Sequence, residues 1–231
     1  MNNRAAYEKI ASELGLNEEQ AAQWVRRRMR GEELTEQILR EAETPIPGMT
    51  AAIMADDLAA GEDVIEAVKA GKMSFARARS MFGSYARMGG LLELQEAGFA
   101  TRDELLDLWP EEWPFADPDD TDPRFTQVWT EAWQRNGEKP VRDAQPPKGK
   151  GLPRTKTIRV YRGQPPGARI GCSWSTDRSI ADRFARGAWA RMPVKEGEII
   201  EMDALRENVM AYLVGRNEFE VILDPRGIVR V

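Results

Sequence analysis

Near its C-terminus the chain reads Gly215-Arg216-Asn217-Glu218-Phe219-Glu220-Val221-Ile222-Leu223-Asp224-Pro225. Aromatic and β-branched residues dominate Phe219 to Leu223, and Asp224-Pro225-Arg226-Gly227 ends the run as a turn would, so the pattern predicts a strand. Period-2 geometry then puts Glu218 and Glu220 on one face and Phe219 on the other. Like charges at that spacing repel unless a cation or a cationic substrate lies between them, which marks the pair as a candidate site for holding positive charge. Histidine is absent and Cys172 is the single cysteine. Chemistry at neutral pH therefore falls to carboxylates, hydroxyls and arginines, and neither an internal disulfide nor a cysteine cluster for zinc can form.

Two segments upstream have the same look. Thr157-Ile158-Arg159-Val160-Tyr161-Arg162-Gly163 alternates into a strand ending on Arg-Gly, and Gly171-Cys172-Ser173-Trp174-Ser175-Thr176-Asp177 is a short strand of small hydroxyls running into a helix cap. An arginine, a serine/threonine strand and a Glu-x-Glu strand, in that order, resemble the mono-ADP-ribosyltransferases of the Arg-Ser-Glu class, the exoenzyme-like fold of bacteria and phages. The resemblance covers about Thr157 to Val231 and rests on the three motifs together with their spacing.

That resemblance implies NAD as substrate, with no metal, and cleavage at the nicotinamide–ribose bond through a ribosyl cation. Glu220 matches the acid that stabilises the cation, much as carboxylates do in glycoside cleavage. Glu218 matches the acid that orients and deprotonates an acceptor, and glutamate there resembles the arginine-modifying members. Arg162 matches the arginine that grips NAD, and Gly163 the position where backbone approaches the nicotinamide amide. The family's Ser-Thr-Ser is not reproduced, so two registers are open. Ser175 with Thr176 is preferred as the brace of Glu220, because Asp177 then caps the following helix; Ser173, on the same strand face, is the alternative. Phe184 and Trp189 are candidates to stack on nicotinamide, with core packing the competing role for Phe184. The implied acceptor is macromolecular, a protein arginine favoured and nucleic acid also fitting. Hydrolysis of NAD and a non-enzymatic binding module are the competing readings.

The 231 residues, 42% hydrophobic and 31% charged, suit a soluble chain of one large or two small domains. Residues 1 to 151 carry 19 Lys+Arg against 28 Asp+Glu, whereas residues 152 to 231 carry 14 against 10. The second part is the one suited to an anionic dinucleotide. No run approaches a membrane span and the N-terminus is too polar for a signal peptide, so the expected location is cytoplasmic, that of a host cell if the chain is a phage or toxin effector.

Positioning these residues falls to a predicted α+β arrangement in two parts. Residues 1–95 read as an all-helical domain, with helices up to Glu43 and then at about Met49–Ala60, Asp63–Ala70 and Ser74–Arg87. Its basic run, Arg26-Arg27-Arg28-Met29-Arg30, reads as a solvated helix face, with a nucleic-acid contact as the alternative. Residues 96–231 read as the transferase-like domain, made of a helical lead-in over 96–136, a Pro/Gly/Lys-rich linker over 137–156 and catalytic strands over 157–231. Within the lead-in a helix spans Thr101–Leu108, and Asp117-Pro118-Asp119-Asp120-Thr121-Asp122-Pro123 reads as a solvated turn, since it lacks the glycine and distal glutamate of a calcium loop. Phe125, Val128, Trp129 and Trp133 share one helix face, expected to pack on the strands. Ile180, Ala181, Phe184 and Ala185 do likewise on the helix after Asp177. A strand over Glu198–Met202, a short helix over Leu205–Tyr212 and a closing edge strand over Gly227–Val231 complete the expected order.

Overall fold

A computed structural model describes residues 49–186, 197–216 and 218–224. The expected helices before Met49, the basic run, Trp189 and the closing strand lie outside the described residues. Two compact units divide the chain, Met1–Asp56 and Asp57–Val231. The expected boundary near residue 95 falls inside the second, where helices on both sides of it enter one core.

Helix α1 (Met49–Lys69) runs straight through the break expected at Gly61. The bare α-carbon serves packing there, because an added Cβ would stand 2.5 Å from the Ala86 Cβ. Helix α2 (Phe75–Met81) starts at Ser74, whose hydroxyl accepts the Arg77 N–H. The single helix expected over Ser74–Arg87 is interrupted: Phe82 turns into the core, the Asp57 carboxylate accepts the Tyr85 N–H at 2.7 Å, and a new helix, α3 (Arg87–Glu96), follows.

Helix α4 (Arg102–Glu112) opens on a capping box between Thr101 and Glu104 and extends past Leu108, through Pro110, into a 3-10 turn at Trp113–Phe115. Burial of Trp109 and Trp113 outweighs the local cost of an internal proline. Glu112 is itself buried, paired with Arg79 and with Arg87 at 2.6 Å, and so ties α2, α3 and α4 together. Asp122 caps α5 (Pro123–Arg135), which buries Phe125, Val128 and Trp129. As the amphipathic spacing predicts, α5 lies against the sheet, with Thr130 Oγ1 3.4 Å from Met210 Sδ.

The fold class is α+β. Strands β1 (Thr157–Gln164), β2 (Ser173–Ser175), β3 (Glu198–Leu205), β4 (Val209–Leu213) and β5 (Glu220–Leu223) form one sheet in the order β3-β1-β2-β5-β4, every neighbouring pair antiparallel. Between β2 and β3 runs helix α6 (Arg178–Ala185), capped by Asp177. It buries Ile180, Ala181 and Ala185, while Phe184 on the same face is only partly buried.

The helix expected over Leu205–Tyr212 is a 3-10 turn at Arg206–Asn208 followed by β4. All five residues of β4 are buried, and a short apolar run buried on both sides carries no periodicity to tell strand from helix. The linker is also more than a spacer. Val141 bridges Ala211 in parallel, Leu152 is buried, and Tyr212 donates its hydroxyl to the Lys150 carbonyl at 2.6 Å.

The sheet separates two apolar clusters, and strand alternation assigns residues to each. Along β5, Ile222 belongs to the cluster shared with the helices, whereas Val221 and Leu223 belong to the other. A register shift between Val209 and Ala211 lets the adjacent Met210 and Ala211 both join the helical cluster. Period 2 from Ile222 places Glu220 on the helical side of the sheet as well, beneath Trp113.

Candidate active site

Glu220 is the first residue of β5, and its Oε1 accepts two hydrogen bonds. The Ser173 hydroxyl donates at 2.5 Å from β2, and the Trp113 indole N–H donates at 2.9 Å from the 3-10 turn. Ser173, not the preferred Ser175, is therefore the serine on this carboxylate. Trp113 is held by aromatic neighbours, its ring centroid lying 5.4 Å from Trp129, 6.0 Å from Trp109 and 6.2 Å from Phe125. The donor thus comes from a closely packed aromatic cluster. Glu220 keeps a partial opening to solvent, yet protein surrounds its carboxylate closely, and this desolvation pushes its pKa up to about 7. The two donors pull in the other direction, and the charges of Glu218 and Asp120 add to the rise.

Ser175 and Thr176 act on the backbone next door. Ser175 donates to the Glu218 carbonyl at 2.6 Å and accepts the Asp177 N–H at 3.0 Å. Thr176 N–H donates to the Phe219 carbonyl at 3.1 Å. These bonds hold Phe219 at φ 49°, a left-handed conformation in which non-glycine residues are strained. The same turn means that Glu218 stands before β5, so simple alternation does not carry across Phe219. Lys150 Nζ lies 5.0 Å from the centre of the Phe219 ring on its far side from the helices, where Phe219 packs against the second cluster.

Glu218 is buried, and burial raises its pKa against the opposing pull of Arg216. Its Oε1 lies 2.9 Å from Arg216 Nη2 as an ion pair. Arg216 in turn donates to the Pro114 carbonyl at 2.7 Å. Both acids of the Glu-x-Glu pair are thus linked to the turn after α4, Glu220 through Trp113 and Glu218 through Arg216.

Arg162, near the end of β1, spends its guanidinium on the protein. It forms a two-pronged pair with Asp120, at 2.6 and 2.9 Å, and also donates to the Ser173 carbonyl at 2.7 Å and the Gln164 side chain at 2.9 Å. Asp120 completes the loop by accepting the Ser173 N–H at 2.9 Å. Arg162 and Asp120 therefore clamp the backbone of the residue whose hydroxyl holds Glu220. The acidic turn is accordingly not a wholly solvated one: Asp120 leaves 15% of its side chain exposed, close to the 14% of Arg162.

Gly163 permits a close approach of a kind different from the one expected. An added Cβ would meet the Ala181 carbonyl oxygen at 1.8 Å and the Ala185 nitrogen at 2.5 Å, so its bare α-carbon seats α6 on β1. Cys172 is buried next to these acids, and burial pushes its thiol well up, which suits packing and not nucleophilic attack.

Trp113 and Asp120 are the site residues that the motifs do not announce. Both lie in the acidic, Trp- and Pro-interrupted stretch before α5, and their partners are 107 and 42 residues away in sequence. A buried-type aromatic within an otherwise solvated acidic run is the one local sign of either. Among the described residues, no group of three or more His, Cys, Asp or Glu side chains is arranged to hold a metal, and no helix is long and apolar enough to cross a membrane. Compared with protein-family models, curated proteins and solved structures, the chain matches none of them.

Proposed function

We propose that the chain is an NAD-dependent mono-ADP-ribosyltransferase, the reading that its Arg, Ser and Glu-x-Glu motifs suggest. The observation that carries it is Glu220: a desolvated carboxylate at a strand start, aligned by a serine hydroxyl and an indole N–H, with a second acid two residues before it. Such an acid, fixed before reaction, stabilises positive charge as it develops on a ribose ring. In the proposed reaction the bond from the ribose anomeric carbon to the nicotinamide nitrogen breaks, and its electron pair leaves with nicotinamide. Glu220 faces the resulting cation, a lone pair of the acceptor closes the new bond to the anomeric carbon, and Glu218 takes the acceptor's proton.

Arg162 enters this reading as a positioning residue. Its contacts with Asp120 and the Ser173 carbonyl set the serine that sets Glu220. One observation favours hydrolysis as a second reading. Glu218 is ion-paired with Arg216, which leaves it less available to deprotonate a protein arginine than an unpaired acid would be. The 231-residue chain is to be incubated with adenine-labelled NAD and a cell lysate. Nicotinamide release with label retained on a macromolecule supports transfer, release with free labelled ADP-ribose supports hydrolysis, and no release at all overturns the proposal.

A further inference from the structure

A groove of about 1040 Å³ opens at the other end of β1 from Arg162, walled by α4, α5, the linker and the turn between β3 and β4. Lys156 and Arg162 are six positions apart, which at ~3.3 Å per strand residue puts the groove roughly 20 Å from Arg162. Its lining includes Arg135, Lys139, Arg142, Arg154, Lys156 and Arg206, set against Asp107, Glu138 and Glu207.

Pairing decides which of these charges are available. Arg135 is neutralised by Asp107 at 3.0 Å. Arg206 donates its Nε to the Pro153 carbonyl, which fixes the side chain without cancelling its charge. Lys139, Arg142, Arg154 and Lys156 are exposed, and their side chains make no ion pair or hydrogen bond with another described residue. Five uncompensated cations thus face two unpaired acids, in a chain whose net charge is −5. Cations concentrated in one concave surface of an otherwise acidic protein create a local field that the net charge conceals.

We propose that this groove binds the phosphodiester backbone of a nucleic acid. The cations come from two segments, 139–142 and 154–156, with Arg206 alongside, and an array of separate cations matches a ligand with repeated charge better than one with a single anionic group. Among the described residues no aromatic side chain lines the groove, so recognition through the backbone is the mode its cations favour. Arginine forks at 142 and 154 suit phosphate oxygens. This inference stands on the groove's charge alone and does not depend on what Glu220 does.

The test is fluorescence anisotropy of the full chain with labelled single-stranded RNA and DNA oligonucleotides of mixed and homopolymeric sequence, titrated from about 50 to 200 mM salt. Neutralising four phosphates gives a slope of about −3 in log K against log salt for a single strand, at about −0.7 per contact. Binding should be insensitive to base sequence. Two double variants, Lys139→Gln with Arg142→Gln and Arg154→Gln with Lys156→Gln, should each weaken binding about tenfold or more at low salt and roughly halve that slope. Their melting curves should match the wild type, because all four side chains are exposed. The inference is overturned if the wild type does not bind, if both variants keep its affinity and slope, or if poly-glutamate of equal charge binds more tightly than either oligonucleotide, which would make an acidic polypeptide the partner.

Discussion

Replacing Glu220 with glutamine keeps the shape of the side chain and removes its charge, which isolates the desolvation that the structure imposes. The carboxyl moves from an ordinary 4.5 in the unfolded chain to about 7 in the folded one. Below the lower value both states hold the proton and pH has no effect through this group. Between the two values the unfolded state releases a proton that the folded state keeps, so stability falls as pH rises, and above 7 the whole cost is present. That cost is about 3 kcal/mol at ~1.36 kcal/mol per pKa unit, and most of it, about 2–3 kcal/mol, accrues between pH 5 and 8.

The measurement is denaturant unfolding of wild type and Glu220→Gln at both ends of that window. Wild type should lose about 2 kcal/mol more than the variant on going from acid to alkaline buffer. The same carboxylate must be ionised to face a cation, so kcat/KM for nicotinamide release should rise through a pKa of about 7 in the wild type. In the variant the rate should fall on the order of 10²–10³-fold with NAD still bound. Parallel stability profiles would show that the carboxylate is not desolvated, and wild-type turnover by Glu220→Gln would remove it from the chemistry.

Three further outcomes follow from the same contacts. Trp113→Phe keeps a ring in the aromatic cluster and loses one N–H to a carboxylate, worth about 1.5–3 kcal/mol, so NAD cleavage should slow about 10–100-fold and the unfolding midpoint should fall, with the native secondary structure retained. Ser173→Ala should lower the rate and raise the apparent pKa of Glu220, because a donor that favours the ionised form is lost, whereas Ser175→Ala should act mainly on stability; reversed effects in pH–rate profiles would return the brace to Ser175. Asp120→Asn leaves Arg162 half-paired in a nearly closed site and should cost on the order of 2–4 kcal/mol in denaturant unfolding, with a full loss of that effect in an Arg162→Met background.

Features that depend on neighbours along the chain are readable from the residues alone. The amphipathic stripe of Phe125, Val128 and Trp129 produced a helix on the sheet, Asp177 capped the helix it precedes, and Thr157–Gly163 formed a strand. Each of these elements follows from a periodicity or a cap that acts within a few residues. Glu218 and Glu220 stand out in the sequence because like charges this close together require an explanation, but the strand alternation expected to carry both stops at Phe219.

Features that depend on partners brought in from afar emerge only from the folded chain. Ser173 and Ser175 have the same hydroxyl on the same short strand, and only the placement of β5 beside β2 assigns one to a carboxylate and the other to a carbonyl. Gly61 and Gly163 read as a break and as a ligand contact, yet both are places where another element's backbone or Cβ fills the missing side chain's space. Arg162 reads as a grip on NAD until Asp120 closes on it, and Trp113 reads as one tryptophan among seven until the fold sets its N–H on Glu220. No local pattern encodes these choices, because long-range packing alone sets which donor meets which acceptor across a sheet.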